Sequence, residues 1–379
     1  MAAGGFNARL ESMRGVAAFA VVYNHAVSFI NSAGGLSSTP FSKHTTFMQS
    51  LLVLASVFSA GGAVILFFVL SGYVLSLSFL RNEQPMLTQV GPYLVRRVFR
   101  LFPAMWLSIL AFAAILWIVP DHVVGWTINP SLVVRAFTLQ NYNANPVIWT
   151  MYVEASCSVL LPALVAATRR SRIVGVLIFV AAGVVSFMPL RFDNPMRFVV
   201  CFQAGVLLAC NPSWTDRIIK PLPVFLTGML VIFIQNISNV GGGAWFVPLD
   251  TTGSIMLLTA VLASSRSRYF EWLDLKPVEF FGRISYSVYL FHLVPLFLLT
   301  QALALGLLGS GYFLPKLIMI VGTIAAIIPI AWLTYRWVEV PSIRLGRRLS
   351  DRLSRATRRP QIGAGTRASA PRSRLQGAP

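Results

Sequence analysis

Three ionisable side chains fall inside long apolar runs of this sequence: His25, Glu154 and His292. Holding such groups away from water is costly, so each is a candidate for chemistry. An imidazole can take a proton from a hydroxyl or carry a transferred group, and a carboxylate can orient that imidazole or receive the proton itself. Arg14 precedes His25 by eleven residues. On a helix, that spacing puts the two on one face, roughly 16 Å apart along the axis. Packing roles exist for both: Arg14 as an interfacial anchor paired with Glu11 at i, i+3, and His25 as an interhelical hydrogen-bond partner beside Tyr23 and Asn24. The run from Trp149 to Glu154 aligns Thr150 with Glu154 at i, i+4 near the outer end of its segment. A structural ion pair with an arginine of another helix suits Glu154 as well as catalysis does. Ser285, Tyr289 and His292 recur at i, i+4, i+7, a polar stripe fit to line a substrate or to pack helices. Arg97 and Arg100 stand at i, i+3 just before an apolar segment, where paired guanidinium groups can fork onto phosphate oxygens or simply fix topology.

The elements that must position these residues follow from composition. Of the 379 residues, 56% are apolar and only 11% charged, against about 25% charged in ordinary soluble domains. With mean hydropathy +0.71, the chain reads as an all-α polytopic membrane protein of about ten transmembrane helices. The expected crossings are 14–31, 60–80, 101–119, 147–167, 173–189, 197–210, 222–240, 251–265, 284–306 and 315–338. Segments 45–58 and 131–146 are apolar enough to dip into the membrane without crossing it. Gly15 to Tyr23 has the length of a signal-peptide core, but cleavage would leave an odd number of spans with unsorted charge, so it reads as the first crossing.

The net charge of +19 is unevenly placed, with ten of the 31 basic residues lying beyond residue 338. The other 21 fall sixteen to one side of the expected crossings and five to the other, which predicts both termini in the cytoplasm. A transmembrane unit, 1–341, is thus followed by a basic tail, 342–379, whose Arg, Ser, Ala and Pro content predicts disorder and contact with anionic lipid. No nucleic-acid motif accompanies that charge. Cys157, Cys201 and Cys210 have no metal-ligand spacing, so neither a metal site nor a disulfide framework is expected.

Together these segments resemble the acyltransferase-3 family of integral membrane O-acyltransferases. The resemblance rests on Arg14 through His25; on Phe67-Phe68-Val69-Leu70-Ser71-Gly72-Tyr73; on Arg97 to Arg100 with Leu101-Phe102-Pro103; and on Trp149 to Glu154. The block Gly282 to His292 and the closing Tyr335-Arg336-Trp337-Val338-Glu339-Val340-Pro341 complete it, over residues 9–341. One departure is local: where the family commonly has an aromatic after the fourth-span glutamate, this chain has Cys157 and Ser158, which predicts a differently shaped pocket there.

The resemblance implies transfer of an acyl group, most often acetyl, from acyl-CoA (acetyl-CoA) to a hydroxyl of a cell-envelope carbohydrate or lipid-linked sugar, in a bacterial cytoplasmic (inner) membrane. Arg14, Arg97 and Arg100 would hold the donor's phosphates. His25 and Glu154 would serve catalysis, His25 as general base or first acyl acceptor. Trp149, Ser285, Tyr289 and His292 would line the acceptor. The rival class is a transporter or flippase with His25, Glu154 and His292 as a proton relay. No inverted internal repeat is visible to support it.

Overall fold

The computed structural model describes residues 3–33, 54, 59–82, 84–119, 128–238, 245–263, 268–308 and 314–357, and among them there is no strand. The helices are α1 (Ala3–Ala33), α2 (Ala60–Leu80), α3 (Met86–Ile118), α4 (Pro130–Phe137), α5 (Trp149–Arg170), α6 (Arg172–Ser186), α7 (Val199–Cys210), α8 (Pro221–Ser238), α9 (Phe246–Ala263), α10 (Lys276–Phe291), α11 (Leu293–Ala304), α12 (Leu314–Thr334) and α13 (Val340–Thr357). Short polar residues start several of them. Ser59 accepts from Gly62 N at 3.1 Å ahead of α2, Asn129 from Leu132 N at 3.0 Å ahead of α4, and Ser171 separates α5 from α6. Each satisfies an amide that a helix start leaves unpaired.

Each expected crossing overlaps helix among the described residues, the ninth being divided between α10 and α11. Among the described residues, five helical stretches are long and apolar enough to span a membrane, a sixth qualifies if α10 and α11 count together, and α6, α7 and α8 are shorter apolar helices. Large apolar side chains face outward, such as Trp117, Val159, Leu177 and Leu226, as expected of a surface that meets lipid.

Two close crossings set the frame. α1 and α10 run in the same direction, and at their crossing a Cβ on Gly15 would lie 2.6 Å from Gly282 N, and one on Gly282 2.4 Å from Glu11 O. α2 and α7 meet likewise, where a Cβ on Gly72 would sit 2.2 Å from Phe202 O and one on Gly205 2.3 Å from Val69 O. Only glycine lets these backbones touch, as small residues do at membrane helix interfaces. Arg9 fixes the start of α1 to the turn before α10 through Asp274, with Nε 2.8 Å from Oδ1. We call the end of the bundle where α1 begins the near end, and the opposite one the far end.

Three expectations change. The third segment belongs to a helix that begins at Met86, so Arg97 and Arg100 lie inside α3 rather than before it; neither Pro92 nor Pro103 stops this helix. The ninth segment is bent by 53° between α10 and α11. Pro295, in the first turn of α11, has no N–H to continue the ladder. Residues 342–357 are not disordered: α13 continues α12 through a π-helical turn at Tyr335–Glu339 and packs along α3. Gly346 lies against Phe99, and Arg96 Nη1 donates to Ser350 Oγ at 2.5 Å. Segment 131–146, expected not to cross, holds α4 and a turn. Segment 45–58 lies, apart from Leu54, outside the described residues.

Candidate active site

Three arginines from two helices converge on one cavity of about 40 Å³, lined by Arg14 of α1, Arg97 and Arg100 of α3, Glu154 of α5, and Ser285 and Tyr289 of α10. The spacing of Arg97 and Arg100 gives them one helix face, and the early start of α3 turns that face toward the bundle, where both side chains are half-buried. Glu154 is ion-paired with Arg97, so of its two readings the structure contains the ion pair. Ser158 completes the clamp, accepting from Arg97 Nε at 3.1 Å and Nη2 at 2.9 Å. The residue that departs from the family's aromatic is thus a hydroxyl that holds an arginine.

Arg100 Nη1 lies 3.5 Å from Glu339 Oε2 and over the Tyr286 ring, 5.7 Å from its centroid. Glu339 is itself buried and accepts from Ser287 Oγ. Arg14 has no hydrogen bond or ion pair among the described residues. Three guanidinium groups therefore face two carboxylates, and the surplus positive charge rests on Arg14. In a setting of low dielectric, that surplus favours an anion.

Eleven residues along α1, His25 meets His292 at the bend between α10 and α11. Their rings stack with centroids 5.0 Å apart, and His25 Nδ1 is 2.8 Å from His292 Nε2. His292 Nδ1 lies 2.7 Å from Tyr289 O. A carbonyl oxygen only accepts, so His292 carries its proton on Nδ1 and presents a bare Nε2. His25 then donates from Nδ1, and in the neutral pair its own Nε2 is left as a free lone pair. The chain of bonds fixes both tautomers, and His25 is poised to accept a proton.

The sequence-derived residues therefore separate into three groups. Arg14, Arg97, Arg100, Glu154, Ser285 and Tyr289 share the small cavity. His292 leaves the stripe of Ser285 and Tyr289 to support His25. Tyr289 links the two groups, its hydroxyl 3.0 Å from Thr150 Oγ1 and its ring 5.9 Å from that of His292. Ser285 spends its proton on Gly282 O, 2.7 Å away. Trp149 lies elsewhere, edge-to-face with Phe192 and tilted against Phe198 in a separate far-end cavity of about 420 Å³.

Sequence reasoning missed several supporting groups. Glu339 sits in a motif it noted, without a role. Asn145, fully buried ahead of α5, donates from Nδ2 to Ser108 Oγ at 3.2 Å and Leu290 O at 3.1 Å, holding the bend beside His292; nothing in the sequence distinguishes it from Asn141 and Asn143 in the same loop. Apart from the site, Asp250, one residue before an expected crossing, is buried in α9 with neither carboxylate oxygen hydrogen-bonded.

A family model described as "Acyltransferase domain" matches residues 7–336 of this chain. Nodulation protein 10 of Rhizobium leguminosarum bv. viciae is 23% identical over 385 residues, covering 90% of this chain and 94% of its own. No solved structure matches.

Proposed function

Because the chain belongs to the acyltransferase-3 family, whose model spans nearly all of it, and is a multi-pass membrane acyltransferase, we propose that it moves an acyl group, acetyl above all, from acyl-CoA to a hydroxyl of a cell-envelope carbohydrate. The observation that carries this reading is the bond chain from Tyr289 O through His292 to His25, which leaves Nε2 of His25 bare. That nitrogen takes the proton of the acceptor hydroxyl as its oxygen attacks the thioester carbonyl carbon. The C–S bond then breaks, the sulfur leaves with its electron pair, and His25 returns the proton to it, giving an ester and free CoA. His292 holds the imidazolium in place while it exists.

Arg14, with Arg97 and Arg100 behind it, binds the donor's phosphates in this scheme, and roughly 16 Å of α1 separates phosphate site from base, the order of a pantetheine arm. Glu154 keeps Arg97 aimed rather than acting on the proton. At about 40 Å³, the cavity must widen to seat a diphosphate. Under the same proposal the chain sits in a bacterial cytoplasmic membrane with both termini inside, and the arginines of α13 face anionic lipid. Acyl analysis of envelope glycans from cells with the gene, without it, and with His25→Ala tests the reading. An ester group present only with the intact gene supports it, and identical glycans in all three would refute it.

A further inference from the structure

The far-end cavity is built differently from the arginine cavity. Its walls combine Trp149, Phe192 and Phe246 with Asn24, Arg197 and Gln235. Flat aromatic faces beside amide and guanidinium groups suit a sugar ring, whose C–H faces stack while its hydroxyls hydrogen-bond. Arg197 adds a charge requirement. Its Nε is buried without a hydrogen-bond partner, and it forms no ion pair among the described residues. Asp193, four residues earlier, is engaged by Arg191, with Nε 3.2 Å from Oδ1. A buried donor of this kind calls for an anion.

A second cavity, of about 240 Å³, runs on from the first and is apolar, with Ala20, Ala63, Leu66, Met229, Ile232 and Leu257 among its walls. Ser59 borders both. The same helices line the two in turn: Ala20 then Asn24 on α1, Gly62 then Gly61 on α2, Ile232 then Gln235 on α8. A polar, cationic chamber thus stands end to end with an apolar furrow.

We propose that these two spaces bind one amphiphile, a lipid-linked sugar phosphate, with its hydrocarbon chain in the furrow, its anionic linkage at Arg197 and its sugar against Trp149 and Phe192. Asn24, one residue before His25 on α1, lines the chamber, which sets the chamber at the level of the histidine pair along that helix; under the proposal the accepting hydroxyl belongs to the sugar seated there. This deepens the transferase reading and rests on it for the role of that hydroxyl.

The test scores binding separately from transfer. The purified full chain in detergent is titrated, by native mass spectrometry, with a long-chain polyprenyl phosphate bearing one hexose, with hexose 1-phosphate, with a neutral alkyl hexoside and with phosphatidylglycerol. The expected order puts the polyprenyl probe at least about tenfold tighter than the other three. Arg197→Gln should weaken it by about tenfold, the loss of one charge-assisted bond. Ala20→Phe should weaken the two chain-bearing hexose probes and leave hexose 1-phosphate unchanged. Equal binding of phosphatidylglycerol would make the furrow a site for bulk lipid, and equal binding of hexose 1-phosphate would make the acceptor water-soluble; either overturns the proposal, and both comparisons use the wild type alone. Selective binding without CoA release would leave this inference standing and sink the transferase reading, while transfer to a soluble glycan without selective binding would do the reverse.

Discussion

His25 owes its reactivity to a neighbour on another helix. The spacing of Ser285, Tyr289 and His292 groups His292 with a face that the bend makes it leave, and periodicity cannot say which helix it meets instead, so the pairing shows only once α1 and α10 stand side by side. The consequence is testable. His25→Ala should lower transfer by ~10²–10⁴-fold, the usual worth of a general base, while expression and insertion stay normal. His292→Ala should cost less, ~10–100-fold in kcat with the donor KM unchanged, since it removes orientation rather than the base; a glutamine there can still accept from His25 Nδ1 and should restore part of the rate. A His292→Ala enzyme at wild-type rate would make the pair a packing feature. Transfer should also fall as acid protonates His25 Nε2, because the lone pair is then lost. On the arginine side, Arg97→Ala with Arg100→Ala should raise the apparent KM for acyl-CoA far more than that for the acceptor, and lysine should rescue only partly because it cannot fork. Equal donor binding in wild type and double mutant would return both residues to a purely structural role. The sequence left Glu154 between catalysis and ion pairing; its partner Arg97 came within reach only because α3 starts fifteen residues earlier than its apolar run.

The helices themselves were legible because apolar runs between Pro, Gly and charge carry their own boundaries, as Ser59 before α2 and Ser171 before α6 show. What joins and bends them was not. The bend at His292 depends on Pro295 inside a run that reads as continuous, and the π-helical turn at Tyr335–Glu339 has no distinct composition. α13 escaped notice because the face it packs on α3 is made of Gly346 and Ser350 rather than of large apolar residues, while its arginines dominate the composition. Truncation separates the two parts of the tail. Removing residues 358–379 should leave thermal stability and catalysis in detergent unchanged. Removing 345–379 should lower the melting temperature by several degrees, since it strips the contacts of Phe99 and Arg96. Thermal unfolding of both truncations checks this, and identical curves would show that α13 adds nothing to the bundle. Gly282→Leu should be more damaging than either, because the side chain would have to displace the backbone of Glu11. Normal yield and melting of that variant would contradict the close crossing.

At the scale of the molecule, charge and chemistry share one axis. The basic residues gather at the near end and in α13, the surplus guanidinium Arg14 sits on the way inward, the histidine pair lies further along α1, and the aromatic chamber opens at the far end. A donor arriving from one side and an acceptor from the other would meet at His25. Reporter fusions before residue 3 and after residue 357 should both be active only in the cytoplasm, and activity of either on the outside would reverse the axis. The most direct measurement is release of free CoA by the purified chain in detergent, given acetyl-CoA and a hydroxyl-bearing lipid-linked sugar. Detergent abolishes the two compartments that a transporter needs and leaves a transferase its substrates. The account predicts CoA release matched mole for mole by ester, and loss of both in His25→Ala. Wild-type protein that binds both substrates yet releases no CoA, or a His25→Ala protein that releases it at the wild-type rate, would contradict it.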